Sequence, residues 1–479
     1  MKLCILGGGL AGFSTAAILS KYANDLDIKL IHNPSKQALA VGESTQLPIR
    51  NLFEFLEIQE TEWMKECDAT YKLGVRFQDF NFGTHYFNPF GKSHVDTNEW
   101  FIAKDLCNLT PDQSAFFFNP DQAALLHYNK IRNNVTHSYH FNATKLSNYL
   151  ENFARKNGVE IVKDNFRDTI QDERGTIRAL LCDEKSHFAD YFVDCTGFKA
   201  LLIGNAMGAE WISYNKTLIN DTVFKAEIPY KDKDNELKNY TDSVALKNGW
   251  CFDIPLWSHR SVGYVHSSNF DTSKVIQDEF FKLYGELDYE EIRFKTGRHR
   301  EGWINNVIAV GASYGFTEPL EATNISATLH SSFALAEALS KRNLRVTQVD
   351  RDMYNVRNAE TLDKFRFFVE QHYILSLRDD SNYWRHIADD INWDYQTASD
   401  FNYRNFLKEV YEKRRYGHED VSALAVAAGQ DYSCLSKDKI ANFQFKIDNF
   451  YRDVNNFIDH ASNQLTSYQY LNQHFYYEN

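Results

Sequence analysis

The sequence predicts an α/β fold with a parallel-sheet core at the N-terminus, a second sheet built from insertions and a mostly helical C-terminal region. Three observations predict it. The apolar run Lys2 to Leu6 ends in Gly7-Gly8-Gly9-Leu10-Ala11-Gly12 and leads into Phe13 to Tyr22 with helical spacing, which is strand, turn and helix in succession. Runs of β-type residues with aromatics recur at 69–77, 96–103 and 222–265. Beyond about residue 345 the pattern turns to long polar and aromatic stretches, with Phe365, Phe368, Val369 and Tyr373 at roughly helical intervals.

Leu26 to His32 reads as the second strand and closes a βαβ unit. The insertions, about 69–118 and 215–290, are expected to form a substrate-facing sheet. Thr144 to Asn157 is expected to be helical, Val159–Lys163 and Tyr191–Val193 to be strands, and Val307–Val310 to be a buried strand entering a glycine turn. These segments return the chain to the first sheet. No internal repeat or flexible linker interrupts them, so one interlocked body is expected: a core over 1–345 and a helical region over 346–479 packed on it.

Composition excludes more than it assigns. The net charge of −13 carries no basic block or stripe, so neither nucleic acid nor an anionic membrane surface is an expected partner. The first residues lack the apolar stretch of a signal peptide and no later run approaches a membrane span, which predicts a cytoplasmic protein. Cysteines at 4, 67, 107, 182, 195, 251 and 434 form no Cys-x-x-Cys pair and no metal-ligand rhythm; they read as reduced packing residues, and no metal is expected. Self-association is left open.

Gly7-x-Gly9-x-x-Gly12, with Leu10 and Ala11 between the last two glycines, has the spacing of a dinucleotide phosphate turn. Its glycines allow a tight bend and close approach to a pyrophosphate at a helix's positive end. An ordinary strand-to-helix turn is the bland alternative. The acidic ribose ligand expected at the end of the second strand is missing; His32 and Asn33 stand there instead. Asp194 and Gly197 mark a second strand end, and Gly311 a third. Three such turns favour FAD over NAD alone.

Together these features resemble the flavin-dependent tryptophan-halogenase family, from the N-terminus to about residue 385. Trp250-Cys251-Phe252-Asp253-Ile254-Pro255 is similar to the family's Trp-x-Trp-x-Ile-Pro, with Phe252 replacing the second Trp. Ala69 to Phe77 resembles the strand carrying the family's active-site lysine, at Lys72, and Glu318-Pro319-Leu320-Glu321-Ala322-Thr323 its halide-site segment, with Glu321 at the catalytic glutamate. Val41-Gly42-Glu43-Ser44-Thr45, Tyr139-His140-Phe141-Asn142-Ala143, Phe367 to Tyr373 and Arg378-Asp379-Asp380-Ser381 fit the same pattern in order.

The resemblance implies an FAD-binding, Rossmann-like core in a halogenase. Reduced FAD, supplied by a separate flavin reductase, would act with dioxygen and halide to make hypohalous acid. Lys72 would hold that acid by hydrogen bonding or as a haloamine, and Glu321 would steer the electrophile and take the ring proton. Thr323 and Asn324 would bind halide through backbone amides; Asn324 stands where the family usually has Gly, and Asn tolerates left-handed backbone better than most residues. Gly42, Glu43, Ser44 and Thr45 would form a strap over the flavin. Trp250 and Phe252 would be bulky walls that keep a substrate away from the flavin, with Ile254 and Pro255 on the substrate side.

The residues also permit blander readings: a surface lysine on a half-exposed strand, a helix-start glutamate, and core aromatics at Trp250 and Phe252. By strand alternation, Lys72, Gly74 and Arg76 are expected to share one face. His85, Phe87 and Phe90 are candidates to stack on a substrate ring, with an ordinary aromatic cluster as the alternative. The expected substrate is a free small molecule with an electron-rich ring, of indole or phenol type. The competing functions are an aromatic-hydroxylating flavin monooxygenase and a catalytically silent FAD-binding relative.

Overall fold

The computed structural model describes residues 1–22, 26–35, 42–91, 113, 115–116, 119–340, 346–393, 425–427, 429–430 and 447–477. The expected strand at 96–103 and Val41 of the strap lie outside them. The chain divides into two compact units. The first comprises Met1–Ala69, Phe141–Asn215 and Phe294–Arg366; the second comprises Thr70–His140, Lys216–Arg293 and Phe367–Asn479.

The first unit is built on a six-stranded sheet in the order Trp303–Ile304, Val307–Ala309, Tyr191–Asp194, Lys2–Leu6, Asp27–His32, Glu160–Lys163. All neighbours are parallel except the first two, which pair antiparallel. Parallel strands need both faces covered, which explains why Leu3 to Leu6 and Phe192 to Asp194 are buried runs rather than alternating ones. Helix Leu10–Tyr22 packs its small residues inward; its Thr15 hydroxyl meets Ser332 of helix Thr323–Leu339 at 2.8 Å. The expected helix at 144–157 spans Ala143–Lys156, started by Asn142, whose side chain accepts from the Lys145 amide.

Register aligns Leu6 with Asp194 on one side and with Ile31 on the other, and Asp194 with Ala309. The turns containing Gly7, Gly197 and Gly311 therefore leave the sheet from one edge, at the carboxyl ends of three adjacent parallel strands. The chain runs from Lys2–Leu6 to Asp27–His32 on one side, while Tyr191–Asp194 flanks the other. A reversal of strand order of this kind opens a crevice for a ligand. The core is the Rossmann-like one expected.

The second unit holds a seven-stranded sheet in the order Glu290–Arg293, Thr222–Ile228, Arg260–His266, Gly249–Pro255, Tyr240–Leu246, Gly74–Gln78, His85–Pro89. Helix Ser273–Tyr284 covers one face, packing Ile276 and Phe280 on Phe224, Cys251, Val262 and Tyr264. Since alternate residues point to opposite faces, Cys251 on the helix side leaves Trp250, Phe252 and Ile254 on the other.

One expectation about this sheet fails. Lys72 and Arg76 do not share a strand. Thr70–Lys72 pairs antiparallel with Ser138 to His140, and the chain changes sheet at Leu73 before entering Gly74–Gln78. Leu73 is fully buried, its amide bonded to the Asn239 carbonyl at 2.6 Å and its carbonyl to Phe90 N and Gln122 Nε2. Long-range partners for the backbone N–H and C=O of one residue break the alternation that local sequence suggests.

The C-terminal region is helical over Gln348–Ile374, Asn382–Arg385, Ile447–Ser462 and Ser467–Leu471. It also contributes Leu465–Thr466, a short strand paired with Lys130–Ile131. The described cysteines, Cys4, Cys67, Cys182, Cys195 and Cys251, are free, and all but Cys182 are buried. No helix among the described residues is long and apolar enough to cross a membrane.

Candidate active site

The glycine turn in the first unit is shaped for a phosphate. Gly7 sits at φ +122°, and a Cβ there would lie 2.3 Å from the Cys195 carbonyl oxygen; a Cβ on Gly12 would lie 1.9 Å from the Gly7 carbonyl oxygen. Both clashes are with backbone, so no side-chain adjustment relieves them. Gly9 is partly exposed in the turn, and Leu10 and Ala11 begin the helix, whose first amides have no partner within it. A bare, amide-rich turn at a sheet's carboxyl edge fits the diphosphate of FAD. Accordingly, Gly12→Ala is expected to weaken FAD binding by about tenfold or more, roughly 1.4 kcal/mol, in a flavin-fluorescence titration. Wild-type affinity would place the cofactor elsewhere.

Two neighbouring residues take other positions than the sequence suggests. Asp194 is fully buried, and its carboxylate accepts from Thr196 N and Oγ1, Leu202 N and Ile203 N at 2.6 to 3.0 Å. Those four bonds commit it to folding the turn around Gly197, so it shapes this edge of the sheet instead of reaching outward. Burial outweighs them and raises its pKa. His32, in place of the acidic ribose ligand, packs edge-on against Phe13 at 5.6 Å, and burial lowers its pKa, leaving a neutral ring near pH 7.

The second group in this unit lies along 317–324. Pro319–Glu321 forms a single 3-10 turn, Ala322 takes the left-handed conformation at φ 54°, and helix Thr323–Leu339 follows. Glu321 is 2% exposed and Glu318 fully buried. The left-handed residue is Ala322 and not Asn324, which is already helical. Asn324 instead clamps the loop: its Oδ1 accepts from Thr317 N at 3.1 Å and its Nδ2 donates to Thr317 O at 3.0 Å. Thr317 and Thr323 hydroxyls add a 3.0 Å bond across the same loop. A glycine at 324 would lack both amide bonds. As the opening residues of a 17-residue helix, Thr323 and Asn324 present amides that the helix itself leaves unbonded.

The strap segment reaches this loop. Gly42–Ser44 is extended, Thr45 is buried, and the Gln46 side chain donates to the Glu321 carbonyl at 2.8 Å. Gln46 went unassigned in the sequence because its partner lies 275 positions away. Only its place after the strap motif hinted at a role.

In the second unit Lys72 is fully buried. A surface lysine is thereby excluded. Its ammonium lies 5.2 Å from the centroid of the Phe90 ring, a cation–π contact that offsets part of the desolvation cost. On the same strand, Thr70 donates to the carbonyl of Pro255 at 2.5 Å, which ties the lysine strand to the end of Gly249–Pro255. Tyr71, on the opposite face, stacks on His137 at 3.8 Å between Tyr470 and Phe475 of the C-terminal segment.

Trp250 is 1% exposed and Ile254 buried, while Phe252 is half-buried with its ring over Gly263. A Cβ on Gly263, the cross-strand partner of Phe252, would come within 2.3 Å of that ring. The three proposed ring-stacking residues separate. Phe90 joins Lys72. Phe87 packs edge-on against Tyr240 on the face of Arg76, which forks onto Asp242, and His85 is exposed at the strand's start.

Comparison with known proteins agrees with this architecture. The family model for tryptophan halogenase matches residues 2–444. The chain is 30% identical over 419 residues to 7-chloro-L-tryptophan 6-halogenase KtzR of Kutzneria sp. (strain 744), covering 80% of this chain and 81% of that protein. It is 32% identical over 415 residues to tryptophan 6-halogenase ThaL of Streptomyces albogriseolus, covering 80% and 77%. Among solved structures it is similar to VirX1 in its apo form, at 28% identity and TM-score 0.89 over 100% of this chain and 99% of that one. It is similar also to Tar14, a tryptophan C-6 flavin-dependent halogenase (chlorinase) from taromycin biosynthesis, at 28% identity and TM-score 0.87 over 98% and 99%. With a phosphate turn, a buried lysine and a buried glutamate on a shared fold, the chain belongs to the tryptophan halogenase family and is an FAD-dependent halogenase.

Proposed function

We propose that the enzyme halogenates a free, electron-rich aromatic small molecule of indole or phenol type, using Lys72 and Glu321 to deliver the electrophile. The observation that carries this reading is the complete burial of Lys72 on a strand bonded to the Trp250–Pro255 segment. A buried ammonium is costly to keep and seldom retained without a use. The relatives KtzR and ThaL, named for 7-chloro-L-tryptophan and tryptophan, support the indole class.

Bound reduced FAD, replenished by a separate flavin reductase in the cytoplasm, supplies with dioxygen the two-electron chemistry that converts halide and a proton to hypohalous acid and water. Gly7, Gly9, Gly12 and the helix start hold its diphosphate, with Gly311 lining the same edge. The amides of Thr323 and Asn324 hold halide. Lys72 donates a hydrogen bond to the oxygen of hypohalous acid and so makes the halogen more electrophilic. As the oxygen–halogen bond breaks, the oxygen leaves as hydroxide and takes up a proton from the ammonium to become water, and the proton passed to Glu321 restores the balance. Glu321 aligns that species and accepts the proton from the ring carbon once the carbon–halogen bond has formed. Trp250, Phe252 and Ile254 exclude water and keep the ring away from the flavin. Gly42 to Thr45 couple flavin occupancy to the halide loop through Gln46.

The test supplies reduced FAD and dioxygen with chloride, bromide or iodide in turn to a panel of indoles and phenols, with products identified by mass. Halide-dependent halogenated product is expected. Oxygenated product formed equally well without halide would establish a monooxygenase, and flavin oxidation with no organic product in any arm would establish a silent relative.

A further inference from the structure

We propose that His140, acting through Thr70, is a positioning residue for Lys72 that fixes the lysine strand against the strands ending in Pro255 and containing Thr241. The inference rests on the role given to Lys72 above. His140 is fully buried and is the direct cross-strand partner of Thr70, while Lys72, two residues along, stands on the same face as Thr70. Its Nδ1 lies 3.1 Å from Thr70 Oγ1, and its Nε2 2.9 Å from Thr241 Oγ1.

The directions of these bonds follow from proton counting. A threonine hydroxyl has one hydrogen, and Thr70 spends its own on the Pro255 carbonyl at 2.5 Å. Nδ1 must therefore carry a hydrogen and donate to Thr70. Burial and the positive charge of Lys72 both push the imidazole pKa well down, so the ring holds one proton and Nε2 accepts from Thr241. The result is an ordered relay from the Thr241 hydroxyl through His140 and Thr70 to the Pro255 carbonyl. Every hydrogen in it has a single assignment.

Such a relay does what apolar packing at 140 would not. A phenylalanine would fill similar volume without fixing the strand along its length, whereas a fully bonded buried polar network specifies one arrangement. The imidazole achieves this without placing a second positive charge beside the ammonium. Since a misplacement of about 1 Å can cost about 10²-fold in rate, this anchoring bears directly on halogen transfer.

The test uses the full chain, reduced FAD, dioxygen, bromide and the panel compound that wild type brominates fastest. His140→Phe and Thr70→Val are each expected to lower product per flavin oxidised by about tenfold or more, through kcat rather than KM, with FAD affinity unchanged. His140→Asn, whose amide N–H can take the place of Nδ1–H toward Thr70, is expected to recover most of the loss. His140→Gln, which places its amide at the Nε2 end, is not. Thermal midpoints and FAD titrations establish that each variant is folded.

If His140→Phe and Thr70→Val give wild-type yield while Lys72→Ala gives none, the positioning role is wrong and the lysine reading stands. If Lys72→Ala also brominates normally, the lysine reading has failed. Equal losses in His140→Asn and His140→Phe, both folded and FAD-replete, would overturn the Thr70 link.

Discussion

Lys72→Ala is expected to lower halogenated product steeply while flavin oxidation continues, with hydrogen peroxide or escaping hypohalous acid in place of product. The expected loss is roughly 10²-fold or more, the scale of removing one positioned proton-donating group. The reason lies in where the side chain sits. Lys72 belongs to the second unit, whereas the glycine turn that fits the diphosphate belongs to the first. The substitution leaves Gly7, Gly9 and Gly12, the residues proposed to hold the diphosphate, unaltered. Alanine also opens a cavity, since Lys72 is among the largest fully buried side chains, so Lys72→Met is the companion variant. Methionine fills the stem's volume without the charge. It is expected to be as inactive as alanine and to lose less thermal stability than alanine does, because it leaves a smaller cavity. Wild-type product yield from Lys72→Met would remove the ammonium from the reaction.

Glu321→Gln is expected to lower halogenation by about 10²–10⁴-fold, the range of a general base. Flavin oxidation should stay near normal. The substitution is informative because the backbone of Glu321 is held independently of its carboxylate: Gln46 bonds its carbonyl, and Asn324 clamps the loop around it. Glutamine keeps the shape of a 2% exposed side chain and removes the negative charge and the base. A positioning role alone would survive the change better than a proton-transfer role. Equal loss of flavin oxidation and product would assign Glu321 to the cofactor step and overturn its proposed role in proton transfer from the ring.

The α/β class, the phosphate turn and the principal strands and helices of the first unit were legible in the residues. They arise from local physics: apolar runs flanked by glycines, helical spacing after Gly12, and a run of glycines where side chains cannot fit. The ordered pattern of short motifs carried the family, and it singled out Lys72 and Glu321 as candidates without any structure. Register, which the sequence does not state, brought the turns of Gly7, Gly197 and Gly311 to one edge.

Tertiary structure decided what individual side chains do, because those assignments depend on partners far away in the chain. Asp194 looked like a cofactor ligand, yet four bonds to Thr196, Leu202 and Ile203 turn its carboxylate inward. Alternation put Lys72 and Arg76 on one face until the backbone N–H and C=O of Leu73 found Asn239, Phe90 and Gln122 and moved the chain between sheets. His85, Phe87 and Phe90 read as one aromatic group but point to different surroundings, since neighbouring strands fix which face each meets. Gln46 and His140 gained their roles only from Glu321 and Thr70, 275 and 70 positions away. Periodicity and turn chemistry are properties of adjacent residues, so the sequence by itself determined the scaffold; the bonding of a buried polar group depends on whichever strand packs beside it, and that only the folded chain decides.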